Sequence, residues 1–348
     1  MVLDWSSAAE ISLAPGERTP DPVAGEWAGR LSRARIATEV GSADGDPRST
    51  IGLITEGALL STGDFVVLDR SYYTLRRWTA DGRALPSLGR PGRGPGEFFQ
   101  PNAMAQVPGD TLLVVDADRR LHRVPAGNRE LDGTEFTSEP VAFSRHWFCQ
   151  SGETTYAVLP QPDRGPKLMS WGGSIGDTIT LTSFYRSVDP LVATAFNSGA
   201  IACSTDEGVL AAAANPIPVV KLRLRDGTLR DLHLNDMRPW RVTLYSDRSM
   251  GSGGFQRGAD VMHSLARLHL LDPTTLLIQI RERRRLEGVP LRNLPADIVT
   301  LVVTDLEQPE PTVVRLDGLE EILSVGQTGF LSFRNEPYPR VRLWEFGP

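Results

Sequence analysis

The chain has 348 residues, 40% hydrophobic and 23% charged, with a net charge of -6. That is the composition of a globular protein, and its acidic balance excludes a general nucleic-acid binder, which needs a basic footprint to displace counterions. Gly 33 and Pro 26 suit a turn-rich all-β chain, and two cysteines, Cys149 and Cys203 in apolar stretches, read as buried small hydrophobes rather than a disulfide framework.

The first residues, "MVLDWSSAAEISLAPGERTP", lack the basic region and apolar core of a signal peptide. No stretch approaches the ~20 apolar residues that span a bilayer. The expectation is a cytoplasmic protein, unless a leader has been removed, with no membrane insertion. Residues 1–31 read as an N-terminal extension, and "SRARIATEV" (32–40) as a strand.

A repeat follows. In "ALLSTGDFVVLDRSYYTLRRWTADGRALPSL" (58–88), turn signals at Thr62-Gly63-Asp64, Asp69-Arg70-Ser71 and Asp81-Gly82 cut the segment into four short apolar runs. The unit is a four-stranded antiparallel meander. The order recurs in "NAMAQVPGDTLLVVDADRRLHRVPAGNRELDGTEF", and again from Arg145 to Tyr185, Ala200 to Leu234, and His263 to Leu316. The fifth copy carries an insertion at 281–297. The last, "EILSVGQTGFLSFRNEPYPRVRLWEF", stops after three strands, and residues 32–40 supply the fourth. A ring closed in this way has no exposed edges. The prediction is therefore a single-domain, six-bladed β-propeller of four-stranded blades. Between copies, "GRPGRGPGEFFQP" (89–101) is a blade-to-blade connector rather than a phosphate loop, since it opens no helix and carries no Lys-Ser/Thr pair. Phe98 and Phe99 are expected to wedge between blades.

The segment "GDFVVLDRSYYTLRRWTADGRALPSLGRPGRGPGEFFQP" resembles an NHL-type repeat: an aspartate ends the second strand, an aromatic lies on the third, and Asp-Gly and a Gly-rich run lead to Phe-x-x-Pro. The chain is similar over about residues 36–125 to bacterial six-bladed β-propellers with such repeats. The resemblance implies a fold, not an activity.

In such a ring the first residues of each inner strand face the channel mouth, the large concavity that the fold builds. In order these are Glu56, Asn102, His146, Ser198, His263 and Glu321. "TEGALLSTGDFVVLD" and "QPNAMAQVPGDTLLVVD" are similar to the metal-binding strands of the calcium-dependent lactonases and strictosidine synthases. That likeness implies Glu56 and Asn102 as metal ligands. Where that group has asparagine and aspartate, this chain has His146 and Ser198. Calcium prefers oxygen ligands, whereas glutamate with two histidines suits zinc or another transition metal, so the departure counts against calcium and leaves the metal open among zinc, manganese and calcium. The rim is rich in arginine, with Arg70, Arg93, Arg119, Arg145, Arg186 and Arg257 as candidate ligand-binding residues, joined by Tyr72 and Trp240. His122, His233 and His269 read as structural, and "RERRR" (281–285) as a solvated charge run. The long connection at 235–262 reads as a lid or as disorder.

Two functions fit. One is a monomeric module that binds a small molecule or peptide, with an anionic ligand suggested by the arginines. The other is a metal-assisted hydrolase, lyase or cyclase, with Glu56, Asn102, His146, Ser198 and His263 as ligands, Glu321 as general base, and His146 and His263 also catalytic. No nucleophile-elbow or zinc-protease motif is present in the sequence.

Overall fold

The computed structural model describes residues 9–13, 22–41, 50–129, 136–141, 147–159, 167–171, 175–180, 199–204, 208–214, 219–234, 242–244, 255–257, 261–284, 298–307, 314–335 and 338–347. The apolar runs between turn signals become antiparallel strands. In the first repeat Ile54–Leu59, Phe65–Asp69, Thr74–Trp78 and Ala84–Leu88 pair in sequence order. The second of these is buried along its whole length because neighbouring sheets cover both its faces, which is why it reads as an unbroken apolar run. At the Asp81-Gly82 hairpin, Gly82 has φ 84°, and a Cβ there would come within 2.8 Å of Thr38 on the N-terminal strand. The turn therefore needs glycine both for its backbone and for the close approach.

Ala103–Val107, Thr111–Val115, Arg120–Pro125 and Thr137–Pro140 form the second sheet, and Phe148–Ser151, Thr154–Leu159, Lys167–Trp171 and Ile175–Thr180 the third. Val261–Asp272, Thr275–Arg284, Ile298–Asp305 and Val314–Leu319 form another four-stranded sheet. In the last repeat Glu321–Val325, Gly329–Arg334 and Arg340–Glu345 are joined by Arg35–Val40, which pairs antiparallel with the final strand. The fourth repeat differs. Its strands Gly199–Cys203, Leu210–Ala214, Val219–Arg223 and Leu229–Leu234 gain a fifth, Ala9–Leu13, which runs parallel to the outermost. Where six four-stranded blades are expected from the sequence, the described residues form five four-stranded sheets, one five-stranded sheet and two two-stranded sheets.

The first strands of successive sheets touch in cyclic order, and the strand at Glu321–Val325 returns to the one at Ile54–Leu59. This is the arrangement of a β-propeller. Its apolar core is divided among the seams between sheets. Phe98, from the glycine-rich connector, is fully buried with Leu75 and Leu88 of one sheet and Leu112 and Val114 of the next. It stacks on Phe136 and meets the edge of His122. A Cβ at Gly89 would stand 2.1 Å from the Phe98 ring, so the glycine makes room for the wedge. Phe99 stays partly exposed beneath the Arg93 guanidinium, 3.9 Å from the ring centre.

A helix, Pro22–Arg33, precedes the closing strand, so the strand begins at Arg35 rather than residue 32. Proline at the first helical position is pre-set for that φ. Trp27, Ala28 and Leu31 share one face and are buried against Leu277, Leu301 and Phe330, and Trp27 Nε1 donates to Asp272 Oδ2 at 2.6 Å. Among the described residues no helix is long and apolar enough to cross a membrane.

Three further readings are revised. Cys149 and Cys203 are not separate buried thiols; they form a disulfide between the first strands of the third and fourth repeats, with Cα atoms 5.9 Å apart. The strand Thr275–Arg284 absorbs the start of the "RERRR" run. In the long connection, Val242–Leu244 pairs antiparallel with Phe255–Arg257, and most of its other residues lie outside the described ones.

Candidate functional site

The first strands of these sheets line a cavity of about 260 Å³. Small side chains keep the strands close: Gly57, Ala105, Ala202, Ala266 and Ser324 all line it. A Cβ at Gly57 would meet Leu323 at 2.7 Å, so the first and last repeats close tightly only with glycine there. The disulfide lies in the wall.

Charge is concentrated at one end. In the strands carrying Glu56 and Arg267 the pairing register slips just before that residue, between Ile54 and Glu56 and between Leu265 and Arg267. Such irregularities re-aim a side chain. Arg267 Nη1 donates to Glu56 Oε2 at 2.5 Å, and its Nε to Glu321 Oε1 at 3.0 Å. Its Nη2 donates to the Thr55 carbonyl, and Arg281 Nη2 donates to the other Glu321 oxygen. One planar guanidinium thus ties the first, fifth and last repeats, a use of its fixed fork that lysine could not reproduce.

Burial pushes the Glu56 carboxyl up, and Glu321 adds repulsion, so that it remains raised despite Arg267. Burial also acts to raise Glu321, but Arg267 and Arg281 outweigh it and hold this carboxyl below its ordinary range. Arg267 is buried too, and its two carboxylates hold it protonated more firmly than an isolated arginine. Further along the same strand, burial and then repulsion from Arg267 lower His269 to about 4, so its imidazole is neutral at ordinary pH. Gln279 Nε2 donates to the Ile322 carbonyl at 2.7 Å, and Gln279 Oε1 accepts from Ile322 N at 2.8 Å. His269 Nε2 lies 2.7 Å from Gln279 Nε2 and 3.2 Å from the Ile322 carbonyl, accepting from the first or donating to the second according to which ring nitrogen carries the proton.

Of the expected site residues, Glu56 and Glu321 come together, but through arginine. Asn102 accepts at Oδ1 from Arg70 at 3.2 Å. Of the metal candidates whose side chains are described, Glu56 and Asn102 therefore hold guanidinium groups, and among the described residues no three His, Cys, Asp or Glu side chains are grouped to hold a metal. Glu321, pinned between two guanidiniums, is a poor proton acceptor. His263 pairs in the sheet with Glu282, four residues before Arg267. Tyr72 is exposed, with the Arg76 guanidinium 5.0 Å from its ring centre. Arg93 pairs with Asp118 at 2.7 Å, and Arg119 is exposed at φ 59°. Arg257 ends a short strand. His146, Ser198, Arg145, Arg186 and Trp240 lie outside the described residues. Sequence reasoning missed Arg267, placed Arg281 in a solvated charge run and read His269 as structural. The signal that could have found Arg267 is a lone charge within an otherwise apolar strand, "LARLHLL".

No family model matches the chain, and no curated protein does. Solved structures do. A Bacteroides fragilis protein, named only as one expected to be exported, overlays with TM-score 0.52 at 10% identity, over 98% of this chain and 100% of that one. A member of the DUF4221 family from Bacteroides vulgatus overlays with TM-score 0.51 at 9% identity, over 90% and 98%. The WD40 β-propeller domain of Doa1 gives 0.45 at 12% identity, over 90% and 98%. At these identities the likeness concerns the fold alone, and neither NHL nor lactonase relatives are among them.

Proposed function

We propose that the chain is a six-bladed β-propeller, with the five-stranded sheet as one blade, that binds a small molecule or the end of a peptide in its central channel. The observation carrying this reading is the cavity walled by the first strand of every repeat. At about 260 Å³ it falls just under the range of drug-sized pockets, which suits a small ligand. Its charges are already matched, since Arg267 and Arg281 together balance Glu56 and Glu321. The ligand is therefore neutral or cationic, oriented by hydrogen bonds to Glu56, Gln106 and Ser324 along the wall. The metal-assisted alternative is disfavoured because Arg267 pairs with Glu56, the carboxylate expected to hold the ion, and with Glu321, the expected base. The Cys149–Cys203 bond supports action in an oxidising compartment rather than the cytosol.

The test is a thermal-shift screen of neutral and cationic small molecules against the native protein and the variant Ala105→Trp, which fills the channel without touching the charged cluster. Compounds that raise Tm in the native protein only support channel binding. Shifts that persist in Ala105→Trp place the ligand elsewhere and sink the reading.

A further inference from the structure

A second buried guanidinium lies at the other end of the ring. Ser151 ends its first strand, whereas Glu56 and Glu321 begin theirs. Beside Ser151, at the seam between the third and fourth repeats, is a separate cavity of about 380 Å³. Its wall includes Tyr156, Gly208, Arg223 and the turn through Asp226. Arg223 is 5% exposed. Its Nε donates to the Gly208 carbonyl at 2.7 Å and its Nη1 to the Tyr156 hydroxyl at 3.3 Å. The guanidinium also faces the Tyr156 ring, 5.3 Å from its centre.

Among the described residues no carboxylate pairs with this charge, and Nη2 has no acceptor. Asp226, the acid in the wall, is turned to its own hairpin, where Oδ1 accepts from Thr228 N at 2.8 Å. Gly208 leaves the Nη2 side open: a Cβ there would stand 3.9 Å from Nη2. Arg77, similarly buried in the first repeat, shows the saturated case. Its Nε, Nη1 and Nη2 each donate to a backbone carbonyl, of Pro86, Asn128 and Arg129. A buried cation without a counter-charge is costly, and a bound anion removes that cost. Guanidinium N–H groups that share one edge match the two oxygens of a carboxylate or phosphate.

We infer that this cavity is a binding site for a small oxyanion, held on the Nη1–Nη2 edge of Arg223 with the Ser151 hydroxyl at its rim. The shared chemistry is a carboxylate or phosphate group carried by a small metabolite. This site is independent of the channel and takes the charge that the channel does not favour.

Isothermal titration of the full chain with inorganic phosphate and, separately, with succinate tests it. The expected result is saturable binding of at least one anion, weakened about tenfold or more in Arg223→Gln, the scale of losing a hydrogen bond to a charged group. Should Arg223→Gln fail to fold, Ser151→Phe, which blocks the rim and leaves the arginine in place, is expected to lose the same binding. Binding of phosphate alone marks the ligand as a phosphate ester, and of succinate alone as a carboxylate. No saturable heat with either anion, or binding unchanged in Arg223→Gln or Ser151→Phe, overturns the inference.

Discussion

Two arginines, both largely withdrawn from water, sit at opposite ends of the ring and are satisfied in opposite ways. Arg267 holds two carboxylates and a carbonyl, whereas Arg223 holds a carbonyl, a phenol and an aromatic face, with no carboxylate beside it among the described residues. The first is a fixture: its charges cancel, and its fork clamps the seam where the ring closes. The second has a hydrogen-bonding edge to spare. Burial of a charge thus marks neither a ligand site nor a strut by itself; what the neighbours leave unsatisfied decides which it is.

The comparison breaks most visibly at Arg267. Arg267→Met strands Glu56 without its cation and leaves Glu321 with Arg281 alone, and the expected loss in urea denaturation is about 3–5 kcal/mol, the scale for breaking a buried pair from one side. A loss within about 1 kcal/mol would show that water already reaches both carboxylates. Next in size is the disulfide, which ties the strand before Tyr156 to the strand before Leu210, the partner of Arg223 in the sheet. With its cysteines 54 positions apart, Cys149→Ser with Cys203→Ser is expected to cost about 2–4 kcal/mol and to weaken anion binding at Arg223 as the seam loosens. Unchanged denaturation midpoints under reducing conditions would contradict this.

His269 sharpens the channel end through pH. Its unfolded value is near 6.5 and its folded value about 4, so between those limits the unfolded chain binds a proton that the folded one refuses. Its contribution is complete above pH 6.5 and is lost as pH falls towards 4, on the order of 3 kcal/mol in all. Glu56, raised by burial, works in the opposite direction. The quantity to measure is therefore the difference in acid profile between the native protein and His269→Gln, which is expected to flatten over that window. The smallest effect belongs to Arg223→Met. It orphans only the Gly208 carbonyl and the Tyr156 hydroxyl, so about 1–2 kcal/mol is expected, clearly less than for Arg267→Met. Equal losses for the two would mean that Arg223 has a carboxylate partner after all.

The fold was legible because the repeat writes its turns in the sequence. Thr62-Gly63-Asp64 and Pro108-Gly109-Asp110 fall at the first turn of their repeats, Asp81-Gly82 and Asp226-Gly227 at the third, and the runs between such turns become the paired strands. The site was half legible. Counting from strand starts found Glu56 and Glu321, since their strands begin at Ile54 and Glu321. In the fifth repeat, whose first strand is 12 residues long and starts at Val261, the same rule selected His263 and passed over Arg267, the residue joined to the two glutamates. The fifth strand of the fourth sheet was equally hidden, since "AEISL" carries no turn signal joining it to a partner more than two hundred positions away.

By itself, the sequence determined strand content, repeat order and the strand that closes the ring, because each depends on local turn chemistry and apolar periodicity. Only the tertiary structure decided that Cys149 meets Cys203, that Glu56 and Glu321 share one guanidinium, and that Arg223 does not have a carboxylate of its own among the described residues. Those outcomes depend on which side chains meet across a seam, at separations of 54 to 211 residues, and local pattern carries no information about such meetings.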